Sequence, residues 1–220
     1  MSAYGAIQVK PLDADLPTYS YTLPNGELLT THAVHNGNAP AALIAYLHDV
    51  FSEELEEGKT YPQEGPMTLD EFKNYFFGAT TIIGVLSPAG TDPKAVQTLE
   101  DAHAGRDWKE CVAGCYYIKP NYPGRSSHQN CNAGFLVPNS QRGKKIGNAL
   151  AESYTHYAPA LGYRGSVFNL VYENNVASLR LWEKLGFTKV GVIPGAGRLK
   201  TGNGDEEKYY DAHIIYKSWV

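Results

Sequence analysis

Gln141-Arg142-Gly143-Lys144-Lys145-Ile146-Gly147 follows the apolar run Phe135-Leu136-Val137 and opens the helix-like stretch Ile146-Gly147-Asn148-Ala149-Leu150-Ala151. A strand that runs into a glycine-bearing, basic helix start is a place to hold a phosphate. The first-turn N–H groups of a helix have no partner inside it. They point outward, and the helix dipole adds partial positive charge there. Arg142, Lys144 and Lys145 add full positive charges. An ordinary exposed basic helix start would read the same way, so this stretch alone leaves both readings open.

A second segment narrows the choice. Residues 174–187 predict a short amphipathic helix, with Asn174 or Asn175 as its N-cap. Ala177, Leu181, Leu185 and the ring of Trp182 form an apolar stripe at helical spacing. Gly186 stops the helix and Phe187 starts a new strand. Together the two segments resemble the GCN5-related N-acetyltransferase superfamily. Its first motif, Arg/Gln-x-x-Gly-x-Gly/Ala, is met by Arg142-Gly143-Lys144-Lys145-Ile146-Gly147. Its second, Asn-x-x-Ala/Ser-x-x-x-Tyr-x-x-x-Gly-Phe, is met by Asn175, Ser178, Trp182, Gly186 and Phe187. The spacing between them fits one helix, a strand (166–172) and a second helix.

There are two departures. Lys145 stands where the family usually has glycine, so its side chain must point away or add charge. Trp182 stands where many members carry a tyrosine that protonates the departing thiolate. An indole N–H donates a hydrogen bond but is no general acid, so that role does not pass to this position. The sequence assigns no catalytic acid or base. Glu173 and His128 are candidates for the base by proximity in sequence alone, and an ordered water serves equally well.

Composition sets outer bounds. With 220 residues, 43% of them hydrophobic, the chain suits one large domain, or a domain with an N-terminal extension. The division read here is an extension over 1–38 and a catalytic domain over 39–220. The net charge of −4 argues against a general nucleic-acid binder, which would show a broad basic face. Three cysteines, Cys111, Cys115 and Cys131, are expected as reduced thiols, with Cys111 and Cys115 in one apparent strand. No zinc or other metal site is expected from them. The start of the chain shows no secretory pattern and no run is long enough to span a membrane, so the expected location is the cytoplasm, with a mitochondrial fraction left open.

Along the chain, Pro24-Asn25-Gly26-Glu27 predicts a hairpin turn between strands at 19–23 and 28–31. Residues 40–57 read as a helix ended by Gly58, and Thr68 caps a second. Strands follow at 80–86, 111–119, 130–137, 166–172, 187–193 and 211–217. Residues 87–110 read as a long exposed, mobile connection with one helical turn near 96–100. A helix runs from Arg142 to about Tyr157. This order suits a mixed α/β sheet. The resemblance implies a mostly antiparallel sheet flanked by helices, with a splayed strand pair that holds acetyl-CoA. It places Leu136, Val137, Arg142 to Gly147, Asn175, Ser178 and Trp182 at the cofactor.

Asn132 and Asn169 are polar residues on otherwise buried strands, where an unpartnered amide costs about 1–3 kcal/mol. Either could simply satisfy neighbouring backbone. A narrower resemblance bears on them. The strings 58–63, 117–122, 131–137 and 168–171 are similar to the fungal proline-analogue acetyltransferases, which detoxify azetidine-2-carboxylate and act on related cyclic amines. The similarity spans roughly residues 40–217. It implies that Asn132 and Asn169 hold a small imino acid, that Asn175 meets the cofactor, and that the protein is a homodimer. Tyr61, in a proline-rich loop, and Phe135, as an apolar wall, are added as weaker candidates for the acceptor site. Acetylation of peptide, histone or polyamine amines is a rival reading, as is a non-catalytic acyl-CoA sensor. No nucleic acid and no membrane is expected as partner.

Overall fold

The computed structural model describes residues 16–220. The reading of the first ten residues as lacking a secretory pattern, and part of the 1–38 extension, fall outside them. A hairpin opens the fold. β1 (Tyr19–Thr22) and β2 (Leu28–Val34) pair antiparallel. The turn between them closes with Gly26 N–H donating to Leu23 O, and Gly26 takes φ +86°, which glycine adopts without strain. Helix α1 (Ala41–Glu57) buries Leu43, Leu47 and Phe51 completely, and Gly58 ends it in the left-handed region. Helix α2 (Leu69–Phe77) starts on a reciprocal capping box between Thr68 and Glu71.

The remaining elements are β3 (Thr80–Ser87), α3 (Leu99–His103), α4 (Trp108–Cys111), β4 (Val112–Pro120), β5 (Asn130–Leu136), α5 (Ile146–Ala160), β6 (Gly165–Tyr172), α6 (Val176–Lys184), β7 (Thr188–Lys200) and β8 (Glu207–Ser218). The eight strands form one sheet in the order β1-β2-β3-β4-β5-β6-β8-β7. Every neighbouring pair is antiparallel except β5 and β6. These two run parallel and pair only at Asn130↔Gly165 and Cys131↔Ser166, then diverge. Period-two alternation on β3 and β4 supplies two cores. Ile82, Leu86 and Tyr116 pack with α5 on one face, and Ile83, Val85 and Tyr117 pack with α1 and α2 on the other.

Four expectations change. Helix α5 begins at Ile146, not Arg142, because Gly143 (φ +81°) and Lys145 (φ +66°) hold the preceding residues in a loop. Residues 87–110 are anchored by structure rather than left as an open connection. Thr98 and Asp107 cap α3 and α4, His103 stacks on Trp108 at 3.8 Å, and Arg106 donates to the carbonyl of Leu86 at 2.7 Å. Short capped helices leave little apolar periodicity to read. Cys111 closes α4 while Cys115 lies in β4, so they do not share a strand. Finally, β7 and β8 run longer than their apolar cores, as a twelve- to thirteen-residue hairpin interrupted by a register shift between Ile193 and Gly197. Pro194, Gly195 and the flanking charges mask the strand alternation there.

Candidate active site

The divergence of β5 from β6 opens a cleft through the sheet. Its walls carry Asn132 and Phe135 from β5, Asn169 from β6, and Tyr61 from the loop after α1. All four expected acceptor-site residues therefore meet in one cavity, of about 240 Å³. The Tyr61 hydroxyl donates to the Phe135 carbonyl at 2.8 Å, so the proline-rich loop is tied to the splayed strand. Phe135 itself packs against Tyr116 (4.6 Å), with Trp182 edge-on at 5.2 Å.

Asn169 does not stand alone. Its Nδ2 donates to Asn121 Oδ1 at 2.6 Å, and Asn121 Nδ2 donates back to Asn169 Oδ1 at 3.2 Å. Asn121 lies just past β4, and its own N–H is held by the carbonyl of Asn130. This amide pair bridges the gap where β5 and β6 part. The ring of Tyr117 forms another part of the wall. It lies over Gly134, where an added Cβ would come within 2.7 Å of it, so only glycine admits the ring. The Tyr117 and Tyr75 hydroxyls meet at 3.1 Å. Burial pushes the phenols of Tyr61, Tyr75 and Tyr117 up, so they stay protonated and serve as donors, not bases. Lys119 lays its ammonium over the rings of Tyr75 (4.1 Å) and Tyr117 (4.0 Å), and burial lowers its pKa to about 8.

On the other side of Phe135 the cleft opens into a groove. One bank holds Val137, Arg142, Gly143, Lys145, Ile146 and Gly147; the other holds Asn175, Ser178 and Trp182. No backbone carbonyl among the described residues accepts from the N–H groups of Gly143 through Gly147. A Cβ built on Gly143 or Gly147 would meet nothing within 4 Å, so the bank is open to a bulky anion. Consecutive free N–H groups at a helix start are the donor set a pyrophosphate needs. The residues present thus fit acetyl-CoA. Leu136 is 1% exposed, so only its main chain can take part. Lys144 turns away and donates to Gln141 Oε1 at 2.8 Å.

The Arg142 guanidinium is already engaged. It pairs with the carboxylates of Glu54 and Glu57 on α1, and Asn139 also donates to Glu57, at 2.9 Å. Glu54 is buried and accepts a further hydrogen bond from the Thr60 hydroxyl. Arg142 therefore fastens the loop to α1, and the positive character of the groove comes from the main chain and Lys145. Asn175 is the N-cap of α6, its Oδ1 accepting from Ser178 N–H at 3.1 Å. Asn174, the other cap candidate, donates instead to Lys59 O at 2.9 Å. The Trp182 indole donates to Ser178 Oγ at 3.1 Å, which leaves the hydroxyl proton of Ser178 free to point into the groove.

Glu173 and His128 are exposed and line neither the cleft nor the groove. Cys131 is buried against the Tyr154 hydroxyl and its thiol is pushed up to about 12, so it is no nucleophile. Among the described residues, no group of three or more His, Cys, Asp or Glu side chains is placed to hold a metal ion. No helix among them is long and apolar enough to cross a membrane. Asn121 and Lys119, which touch residues lining the cleft, and Glu54, which holds Arg142, were left unmarked by the sequence. Asn121 and Lys119 lie inside the string 117–122, but an Asn or Lys at a strand end has nothing to distinguish it until its neighbours are known.

Residues 69–187 match the model of the family described as Acetyltransferase (GNAT) family. The N-acetyltransferase aca1 of Schizosaccharomyces pombe is 46% identical over 172 residues, which cover 78% of each chain. The fold is similar to a GCN5-related N-acetyltransferase from Kribbella flavida, with TM-score 0.66 and 23% identity over 86% of this chain and 97% of that one. It is also similar to a GNAT superfamily phosphinothricin acetyltransferase from Sinorhizobium meliloti in complex with acetyl-CoA. There the TM-score is 0.61 and the identity 17%, over 86% of this chain and 88% of that one.

Proposed function

Because the chain belongs to the acetyltransferase (GNAT) family, and so transfers acetyl from acetyl-CoA to an amine, we propose that its acceptor is a small cyclic imino acid: azetidine-2-carboxylate, another proline analogue, or a proline-pathway intermediate. The observation that carries this reading is the pair Asn132 and Asn169, which face one small aromatic-walled cleft from the two diverging strands. Phe135 and Tyr117 both line this cleft, whose size suits a small ring. An amide offers both a donor for a carboxylate and an acceptor for an amine N–H.

Acetyl-CoA supplies the acetyl group as an activated thioester. The chain's part is to hold the amine beside it. Asn169, fixed by Asn121, orients the amine nitrogen. A main-chain N–H at Leu136 or Val137 is the donor we assign to the carbonyl oxygen where negative charge develops. Tyr61 ties the loop after α1 to β5 beside the cleft. Ser178, whose hydroxyl lines the groove, is the group we assign to hydrogen-bond the leaving thiolate, since Trp182 cannot protonate it. No carboxylate or imidazole in the cleft takes the amine proton, so water is the acceptor we assign. Most of the acceleration then comes from positioning, an effect that reaches about 7–11 kcal/mol.

On the same resemblance we read the enzyme as a cytoplasmic homodimer that detoxifies proline analogues, without nucleic acid or membrane as partner. We read residues 39–220 as its catalytic domain, with β1 and β2 of the 1–38 segment continuing the same sheet. The test is thiol release from acetyl-CoA with azetidine-2-carboxylate, run beside spermidine and a lysine peptide. Selective turnover of the imino acid is expected. Turnover of the other amines alone would keep the acetyltransferase and discard this acceptor.

A further inference from the structure

Against two rings that line the cleft, Tyr75 and Tyr117, lies the Lys119 ammonium, with no carboxylate paired to it among the described residues. Lys119 pairs across the β4–β5 ladder with Asn132. Directly opposed residues share a face of the sheet, with Cβ atoms about 4.5–5.5 Å apart. The Lys119 ammonium lies between Tyr75 and Tyr117, whose rings line the cleft together with Asn132. Ring faces attract a cation but leave its three N–H donors without strong acceptors. No carboxylate among the described residues forms an ion pair with it, whereas Arg142, Arg198, Lys109 and Lys200 each face one. A partly buried ammonium without a counter-ion is unfavourable unless something else supplies the charge.

We propose that Lys119 is the anion receptor of the acceptor site: the amine substrate carries a carboxylate, which the Lys119 ammonium holds by an ion pair while the Asn132 amide donates a second hydrogen bond. This rests on the reading that the acceptor binds in this cleft. The asparagines are then not the sole grip on the carboxylate. Asn132 works beside a full charge, and Asn169, held by Asn121 across the gap, is left to meet the amine. Two fixed points, an anion at β4–β5 and a nitrogen at β6, select an amine that bears a carboxylate. A polyamine or a lysine side chain would bring a positive charge toward Lys119 and be repelled.

The experiment pairs each carboxylate with its neutral carboxamide: azetidine-2-carboxylate and its amide, and L-alanine and its amide, with spermidine alongside. Wild type, Lys119→Met, Lys119→Gln and Lys119→Arg are compared in the thiol-release assay. The acetyl-CoA KM, read in the same runs, separates a local loss from general damage. Removing a charge-assisted hydrogen bond is expected to cost roughly tenfold or more in kcat/KM for the carboxylate. The loss should fall in KM, so that the carboxylate-to-carboxamide ratio collapses toward one, with Arg restoring part of it. A Lys119→Met or Lys119→Gln enzyme that keeps its carboxylate preference overturns the inference and leaves the imino-acid reading standing. Turnover of L-alanine but not of the cyclic acid, with the same dependence on Lys119, upholds the receptor and overturns the cyclic reading. A wild type that favours spermidine or the amides, or is silent on every amine, overturns both.

Discussion

Lys145 adopts φ +66°, a left-handed conformation that costs a non-glycine residue roughly 1 kcal/mol, and it does so where related motifs use glycine. Its side chain is exposed at the groove, so the strain is not repaid by burial. Lys145→Gly should therefore raise Tm by no more than about 2 °C, because the relief of about 1 kcal/mol is partly offset by the greater freedom of glycine in the unfolded chain. The acetyl-CoA KM should rise less than about fivefold, one exposed charge being worth about 1 kcal/mol or less. A fall in Tm would mean that the lysine side chain holds the loop. Asn175 poses a different question, because one amide both caps α6 and faces the groove. Asn175→Ala should lose about 1 kcal/mol of stability with the cap, whereas Asn175→Ser keeps most of it. Both should raise the acetyl-CoA KM. If only the alanine variant does so, in step with its melting, Asn175 is a cap and nothing more.

Between elements, the site is held together by polar ties across the gap in the sheet. The carboxylates of Glu54 and Glu57 bring the end of α1 to the loop before α5 through Arg142 and Asn139. Glu54 is 7% exposed, so neutralising it leaves Arg142 with only its outer partner. We expect Glu54→Gln to raise the acetyl-CoA KM about tenfold, or about 1.4 kcal/mol, with little change in kcat. An unchanged KM would show that the loop keeps its shape without the clamp. On the acceptor side, Asn121 and Asn169 exchange two hydrogen bonds between the end of β4 and β6. Asn121→Ala should raise the acceptor KM much as Asn169→Ala does. The double variant should then be less impaired than the sum, with a coupling of about 1 kcal/mol or more. Strict additivity would mean that the bridge is incidental to binding.

For the molecule as a whole, what the sequence revealed follows the range of the forces involved. The hairpin at Asn25-Gly26, the two long helices and the strands around Ile82 and Phe168 come from local rules of turn, cap and alternation. The groove came from a motif, and Asn132 and Asn169 from family strings rather than from any property of an isolated asparagine. The Lys119 cation, the Asn121 bridge and the Glu54 clamp depend on residues 48 to 88 positions apart or on cross-strand register, which no local pattern encodes. The same holds for residues 87–110, whose short helices are fixed by packing on β2 and β3. His32 of β2 lies beneath that cover. It is 4% exposed, its Nε2 meets Thr30 Oγ1 at 2.9 Å, and burial lowers its pKa to about 4 against the opposing pull of Asp101 on α3. Its ordinary value is near 6.5. Between pH 6.5 and 4 the unfolded chain takes up a proton that the native chain refuses. Stability from this group is therefore complete above pH 6.5 and falls as the pH drops through that window, by at most about 3 kcal/mol. Urea unfolding at pH 7 and pH 4.5 should show the loss, and His32→Gln, which can still hydrogen-bond Thr30, should flatten it. An equal loss in the variant over this window would show that His32 is not its source, and the capping carboxylates Glu71, Asp101 and Asp107 would not explain it either. Their pKa values are lowered by backbone and side-chain hydrogen bonds, so their stability is lost only below the ordinary carboxylate range, as the pH falls through their folded values.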